Sequence, residues 1–407
     1  MKSLGSWKLL MLVALASGPT TVLAQEPGPA TPEATSRQAV IEQAQTEKDS
    51  LLQPYVLSKG ERFANRAEDI ILNGLTWHPF FENAYQGGGF PFGLGYRRYV
   101  SPHNQIDVRG SYTLSGYKRA EAEFVAPHLF NRRGVLSLLG GWREATEVGF
   151  YGIGPDSLKS DRTSYAFQQP YAQANLTLRP TRNHWLMQGG TEWTEWQENP
   201  GHGSFPSVDT MFTAETLPGL NADVTYIHSQ AGMGFDWRPS AGYARRGGYY
   251  GVTVHDYTDT SSDFGFNQID YEAIQHFPIL RESWAITLRG RVQTAFHKGD
   301  QQIPFFMLPS LGGGSTLRGF SSWRFRDRNS LLMQAEWRVM ANRFFDTAFF
   351  YDTGKVTART SDLDFTGLQH DYGVGFRFHS VDATILRVDV ARSHEGTRLV
   401  FAASRVF

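Results

Sequence analysis

Apolar and polar residues alternate one by one along most of the chain from about Trp77 onward. Ile106, Val108, Gly110, Tyr112 and Leu114 interleave with Gln105, Asp107, Arg109, Ser111 and Thr113. Trp284, Ile286, Leu288, Gly290 and Val292 do the same with Ala285, Thr287, Arg289, Arg291 and Gln293. Leu331, Met333, Ala335, Trp337 and Val339 alternate with Leu332, Gln334, Glu336, Arg338 and Met340, and Tyr372, Val374, Phe376 and Phe378 with Gly373, Gly375, Arg377 and His379. Successive side chains of a strand point to opposite faces, so a period of two marks strands with one apolar and one polar face. Sixteen strands are read in this way, at 77–86, 88–99, 104–114, 117–127, 134–144, 163–178, 184–196, 223–237, 248–258, 264–277, 284–296, 330–341, 345–356, 371–379, 384–391 and 397–407.

The connections sort by length. Those after even-numbered strands are mostly short (100–103, 128–133, 179–183, 342–344), and 238–247 is the longest of them. Those after odd-numbered strands include 145–162, 197–222 and 297–329. Short turns on one side and long loops on the other are the habit of outer-membrane barrels, and an even strand number places both ends of the barrel on the periplasmic side. In lipid every backbone group must be paired, so a spanning sheet has to close. The expected fold is all-β: a sixteen-stranded antiparallel transmembrane β-barrel over residues 75–407, with a short, partly helical N-terminal segment.

Composition agrees. The 407 residues are 14% aromatic and 19% charged, with 41 glycines and no cysteine, against a usual charged fraction of ~25%. Mean hydropathy is −0.37, and no apolar run after residue 24 has the length of a spanning helix. The absence of cysteine removes disulfides and thiolate metal sites. A net charge of −1 gives no reason to expect nucleic acid as a partner. Eight tryptophans (Trp77, Trp142, Trp185, Trp193, Trp196, Trp237, Trp284 and Trp337) are expected in interfacial girdles against outer-membrane lipids.

Lys2 and Lys8, the apolar stretch Leu9–Ala16 and Val22-Leu23-Ala24 before Gln25 form the three parts of a cleaved secretory signal, residues 1–24. Residues 25–74 differ from the rest. A proline-rich linker precedes a helix expected over 36–52, between Pro32 and Pro54, and a second helix is read at 61–72. The segment is either a polar tether or a helix that plugs the pore. At the other end, Phe401 and Phe407 lie on one face of the last strand, with Leu399, as a C-terminal barrel signal, and Arg405 interrupts that face near the rim.

Four stretches carry a more specific pattern. Residues 311–320 read LGGGSTLRGF inside the longest connection, and 350–356 read FYDTGKV, which fits F-x-D-x-G. Residues 150–161 read FYGIGPDSLKSD; residues 371–378 read DYGVGFRF and precede a polar strand with Arg387 and Asp389. Together these resemble the BamA/TamA superfamily, the bacterial surface-antigen barrels that insert or secrete other proteins at the outer membrane. Leu317 departs mildly from the valine or isoleucine usual before RGF. The resemblance implies sixteen strands and a sixth extracellular loop folded back into the lumen. It assigns the loop motif to Gly312, Gly313, Gly314, Leu317, Arg318, Gly319 and Phe320. It also implies a latch in which Arg318 binds Asp352, with Glu336 on the lumenal face as second partner. It implies a non-enzymatic role in protein insertion or transport, with unfolded outer-membrane proteins as clients.

Members of that family usually carry periplasmic POTRA domains, and residues 25–74 lack the β-α-α-β-β pattern of one. Client docking is then left to a separate periplasmic partner, or the barrel is a passive pore that has lost client handling. No catalytic, cofactor or metal residues are assigned: H-E-x-x-H and G-x-S-x-G do not occur, and the glycine run lacks the P-loop lysine. His202 and the pair His394-Glu395 read as solvated loop residues.

Overall fold

The computed structural model describes residues 37–51, 76–180, 184–280, 282–342, 344–380 and 383–402. The secretory signal, the helix at 61–72 and Phe407 lie outside the described residues. The chain divides into two compact units, Met1–Leu72 and Asn73–Phe407. In the first, α1 spans Arg37–Leu51, within the helix expected from its flanking prolines.

The second unit is built on one antiparallel sheet of sixteen strands in sequence order. They are β1 (Trp77–Pro79), β2 (Pro91–Tyr99), β3 (Gln105–Thr113), β4 (Lys118–His128), β5 (Gly134–Phe150), β6 (Thr163–Leu178), β7 (Trp185–Pro200), β8 (Asp223–Asp236), β9 (Gly247–Asp259), β10 (Phe266–Ile279) and β11 (Trp284–His297). After a two-stranded excursion, β12 (Ser310–Leu311) with β13 (Phe325–Arg326), the sheet continues as β14 (Asn329–Asn342), β15 (Phe345–Thr357), β16 (Gln369–His379), β17 (Thr384–Ser393) and β18 (Gly396–Ala402). This is the sixteen-stranded transmembrane β-barrel. Its ladder begins at β1 and ends at β18, and among the described residues no ladder joins these two.

The alternation maps onto the two faces. Val108, Tyr112, Leu288, Phe349, Tyr351 and Tyr372 are exposed on the outer face, where lipid rather than water receives them. On β14 the inner residues Leu332, Gln334, Glu336 and Arg338 are all buried. Trp77, Trp185 and Trp193 are exposed on the outside, as a girdle requires. Trp196 is not: it is buried and stacks on Phe306, with ring centroids 5.4 Å apart. Three residues from Trp193 along a strand, it faces the opposite side.

The long loops fill the outer half of the lumen. Phe150, Tyr165, Phe167, Trp196, Val208, Leu217, Tyr226, Phe266, Phe305 and Phe306 belong to one apolar cluster drawn from strand ends and loops. A second, smaller cluster joins Leu311, Leu317, Phe320 and Phe325 of the longest loop to Leu332 and Val356 of the wall. At the other end, the 238–246 turn is a strap. Arg245 Nη1 donates to Asp346 Oδ2 at 2.7 Å, and the backbone N–H of Thr384 donates to the Gly242 carbonyl at 3.1 Å.

Candidate functional site

The loop between β11 and β14, called the long loop below, supplies the centre of the site. Its tip must turn sharply. Gly312 has φ +113°, and a Cβ there would lie 2.2 Å from the Ser321 carbonyl oxygen. Only glycine takes this backbone course without strain. The Gly313 N–H donates to the carbonyls of Leu317 and Phe320, both at 3.1 Å, and Thr316 Oγ1 accepts from the Gly312 N–H at 2.9 Å. The apolar residues Leu317 and Phe320 flank Arg318 in sequence and are fully buried, so burying them carries the arginine inward with them.

Arg318 is fully buried. Its Nε donates to Asp352 Oδ2 at 2.6 Å and its Nη2 to Asp352 Oδ1 at 2.7 Å, a two-pronged grip. Nη1 donates to Glu336 Oε2 at 2.9 Å. The guanidinium carbon sits 3.5 Å from the centroid of the Phe350 ring, the first residue of F-x-D-x-G. A planar fork with five donors can serve both carboxylates at once, which an ammonium cannot. Burial alone would lower the arginine's pKa, but Asp352, Glu336 and Asp389 together raise it above its ordinary value. The guanidinium is therefore charged at any physiological pH.

The network extends further than the three residues that the sequence motif brought forward. Glu336 Oε2 also accepts from Arg377 Nη2 at 2.7 Å, and Arg377 Nη1 donates to Asp389 Oδ1. Arg387 Nε lies 3.2 Å from Asp389 Oδ2, and its Nη2 donates to the Gly314 carbonyl of the tip. Gln334 Nε2 donates to the Thr316 carbonyl at 2.7 Å and to Asp352 Oδ1 at 3.1 Å. Strand parity places all these groups on the lumenal face of β14 to β17. The two glycines of DYGVGFRF make the room: a Cβ at Gly373 would lie 2.4 Å from Phe350 Cζ, and one at Gly375 1.9 Å from Asp389 Oδ1. Asp371 is the discordant member. It is fully buried, directly opposite Asp352 across the ladder, and neither of its oxygens has a hydrogen-bond partner among the described residues.

The long loop also touches elements next to both ends of the ladder. On one side, Trp323 Nε1 donates to the Gln86 carbonyl at 2.7 Å, Gln86 Nε2 donates to the Gly312 carbonyl at 3.1 Å, and Tyr85 stacks on Trp323 at 4.5 Å. These partners belong to the connection between β1 and β2. On the other side, Ser393 Oγ donates to the Gly319 carbonyl at 2.9 Å and Arg398 Nη1 to Ser321 Oγ at 3.1 Å. Arg324 Nε donates to Glu395 Oε1 at 2.7 Å, and its Nη1 and Nη2 hold Ser157 at 2.8 and 2.6 Å. Glu395 is thus an ion-pair partner in the β17–β18 turn and not a solvated residue. Its neighbour His394 places its ring 5.3 Å from that of Phe320. His394 is exposed, as expected; paired charges in loops leave no periodic signal, which is why Glu395 reads as solvent-facing from sequence. Leu399 and Phe401 are exposed on the outer face of β18.

A lumenal barrel with an inturned loop held by a buried arginine defines a class of outer-membrane protein. The Omp85 superfamily domain matches residues 103–398, and the chain belongs to that superfamily. The fold is similar to that of BamA from Haemophilus ducreyi lacking POTRA domains 1-3 (12% identity, TM-score 0.57, covering 80% of this chain and 67% of that one). It is also similar to CdiB from Escherichia coli (12% identity, TM-score 0.53, covering 77% and 57%). CdiB from Acinetobacter baumannii is comparable (12% identity, TM-score 0.50, covering 77% and 56%). The chain spans little more than half the length of the CdiB chains. No curated protein matches it significantly in sequence. The protein resides in the outer membrane and has the fold of the superfamily's transporters and insertases.

Proposed function

We propose that this barrel inserts or translocates other polypeptides at the outer membrane, acting in outer-membrane protein assembly or in secretion, by parting its first and last strands. The observation that carries this reading is the position of the long loop. The loop is bonded to the β1–β2 connection through Gln86, by Gly312 and Trp323, and to the β17–β18 hairpin through Ser393 and Glu395, by Gly319 and Arg324. A loop in that place governs whether the two flanking hairpins can move apart. Once they part, the edges of β1 and β18 offer unpaired backbone groups to an incoming strand. Arg318, Asp352 and Glu336 act as the latch that sets the tip. A separate periplasmic partner delivers the unfolded client. The chemistry is non-enzymatic.

Affinity purification from native outer membranes tests this. An unfolded or nascent outer-membrane or secreted protein should co-purify, together with a periplasmic docking protein. Recovery of the barrel alone under conditions that trap clients on other insertases would count against it.

The rival reading is a passive pore. The apolar cluster that fills the outer half of the lumen argues against an open channel. In planar bilayers the protein should therefore show little steady conductance, and Trp196→Ala with Phe306→Ala should raise it by loosening the cap. The N-terminal segment is proposed as a second obstruction. Deleting residues 33–72 should raise conductance further, and an unchanged value would leave that segment as a tether.

A further inference from the structure

On the rim where the long loops emerge, cations are paired almost without exception. Lys118 donates to Glu144 at 2.7 Å, Lys298 to Asp256 at 2.8 Å, Lys355 to Asp364 at 2.5 Å, and Lys159 to the Glu395 carbonyl at 2.8 Å. Arg162 lies over the Phe205 ring at 3.6 Å. Arg392 reaches Thr397 Oγ1 at 3.4 Å. Arg328 and Arg359 stand apart: both are exposed, and among the described residues neither guanidinium has a hydrogen bond or ion pair. They line one cleft of about 390 Å³ over the outer ends of β11, β14 and β15, with His297, Asn329 and Thr360. Phe296, in the wall of the same cleft, is exposed on the lipid-facing side of β11. Two like charges on one cleft repel each other unless an anion sits between them.

The two acidic groups beside Arg328 act on it through space but accept no hydrogen bond from its guanidinium among the described residues. Asp327 is buried and accepts its hydrogen bond from the backbone N–H of Arg328, at 2.8 Å, not from its guanidinium. Asp300 and Asp327 line an adjoining hollow of about 560 Å³ that Arg328 also lines, with Ile303, Leu308 and Pro218; among the described residues neither carboxylate forms an ion pair with that arginine. The geometry points to a binding site for a phosphate monoester carried by an outer-leaflet lipid head group, with Arg328 and Arg359 as its two forks. Arginine matches phosphate oxygens with paired N–H donors. The lipid-facing Phe296 places the site at the depth where such head groups lie. The adjoining hollow leaves space for the sugar to which the phosphate is attached. This site is separate from the latch and from client handling.

Native mass spectrometry of the full-length, detergent-purified protein tests the assignment, with a phosphorylated glycolipid, its dephosphorylated counterpart and inorganic phosphate as probes. Wild-type protein should retain the phosphorylated glycolipid. R328Q/R359Q should bind it roughly tenfold more weakly, while R246Q, at the opposite rim, should match wild type. An unchanged boiled-versus-unboiled gel shift would establish that the double variant is folded. Equal binding of the dephosphorylated lipid, or retention by R328Q/R359Q to within about twofold, would overturn the proposal. Inorganic phosphate that binds through both arginines without being displaced by the glycolipid would overturn the lipid assignment in favour of free phosphate.

Discussion

Arg318 is held by two carboxylates in a place that water does not reach, so removing one partner strands the others. Breaking a buried pair in this way typically costs ~3–5 kcal/mol. Arg318→Ala and Asp352→Ala should each destabilise the inturned loop by about that much. The double variant should lose far less than the sum, because both act on one interaction. Melting followed by the gel shift of unboiled samples measures this. Arg318→Lys should recover little, since an ammonium cannot span Asp352 and Glu336 together. Asp371 gives a prediction of opposite sign. It faces Asp352 directly across the ladder, so charging both carboxyls at once is unfavourable. Asp371→Asn should raise the melting temperature by removing the need to keep that carboxyl uncharged; a fall would show that the carboxyl itself is needed there. Motif and parity together were enough to bring forward Arg318, Asp352 and Glu336. Arg377 and Asp389 lie on the same lumenal parity, but their pairing depends on β16 and β17 being neighbours in register, which the motif does not state. Trp196 was misplaced for a simpler reason: its identity suggested a girdle while its parity, opposite to Trp193, placed it inside.

At the scale of elements, all sixteen expected strands are present, because a barrel wall between lipid and a polar lumen leaves the period of two intact. Boundaries slipped where that period breaks. β5 runs on to Phe150, past the expected end at 144, because the register shift between Ala145 and Val148 resets the parity of the outer end. β1 is only Trp77–Pro79, shorter than the expected 77–86, because the chain then turns inward and buries Phe80 and Ala84. The inward course of the long loop could be inferred only from the family resemblance, since no local period distinguishes a lumenal loop from a surface one. Its two flanks can be loosened separately. Trp323→Ala should free the β1–β2 connection and Arg324→Ala the β17–β18 turn. The two contacts lie on different partners but on adjacent residues, so any departure from additivity measures how rigidly the loop couples the two flanks. Limited proteolysis of each variant, with cleavage mapped to 80–90 or to 394–396, reads which flank has opened. Cleavage of both flanks in both single variants would mean that the loop moves as one body.

At the scale of the molecule, one loop contacts elements next to both ends of the sixteen-strand ladder. If function runs through this place, client chains must touch it. A photo-crosslinking amino acid at Trp77 on β1 or Phe401 on β18, in living cells, tests the claim most directly, with Ile227 on the outer face of β8 as control. Covalent adducts with outer-membrane or secreted proteins at both flanking positions, and none at Ile227, are the expected result. Equal labelling at all three positions, or no client adduct at either flank, would contradict a barrel that works by opening between its first and last strands.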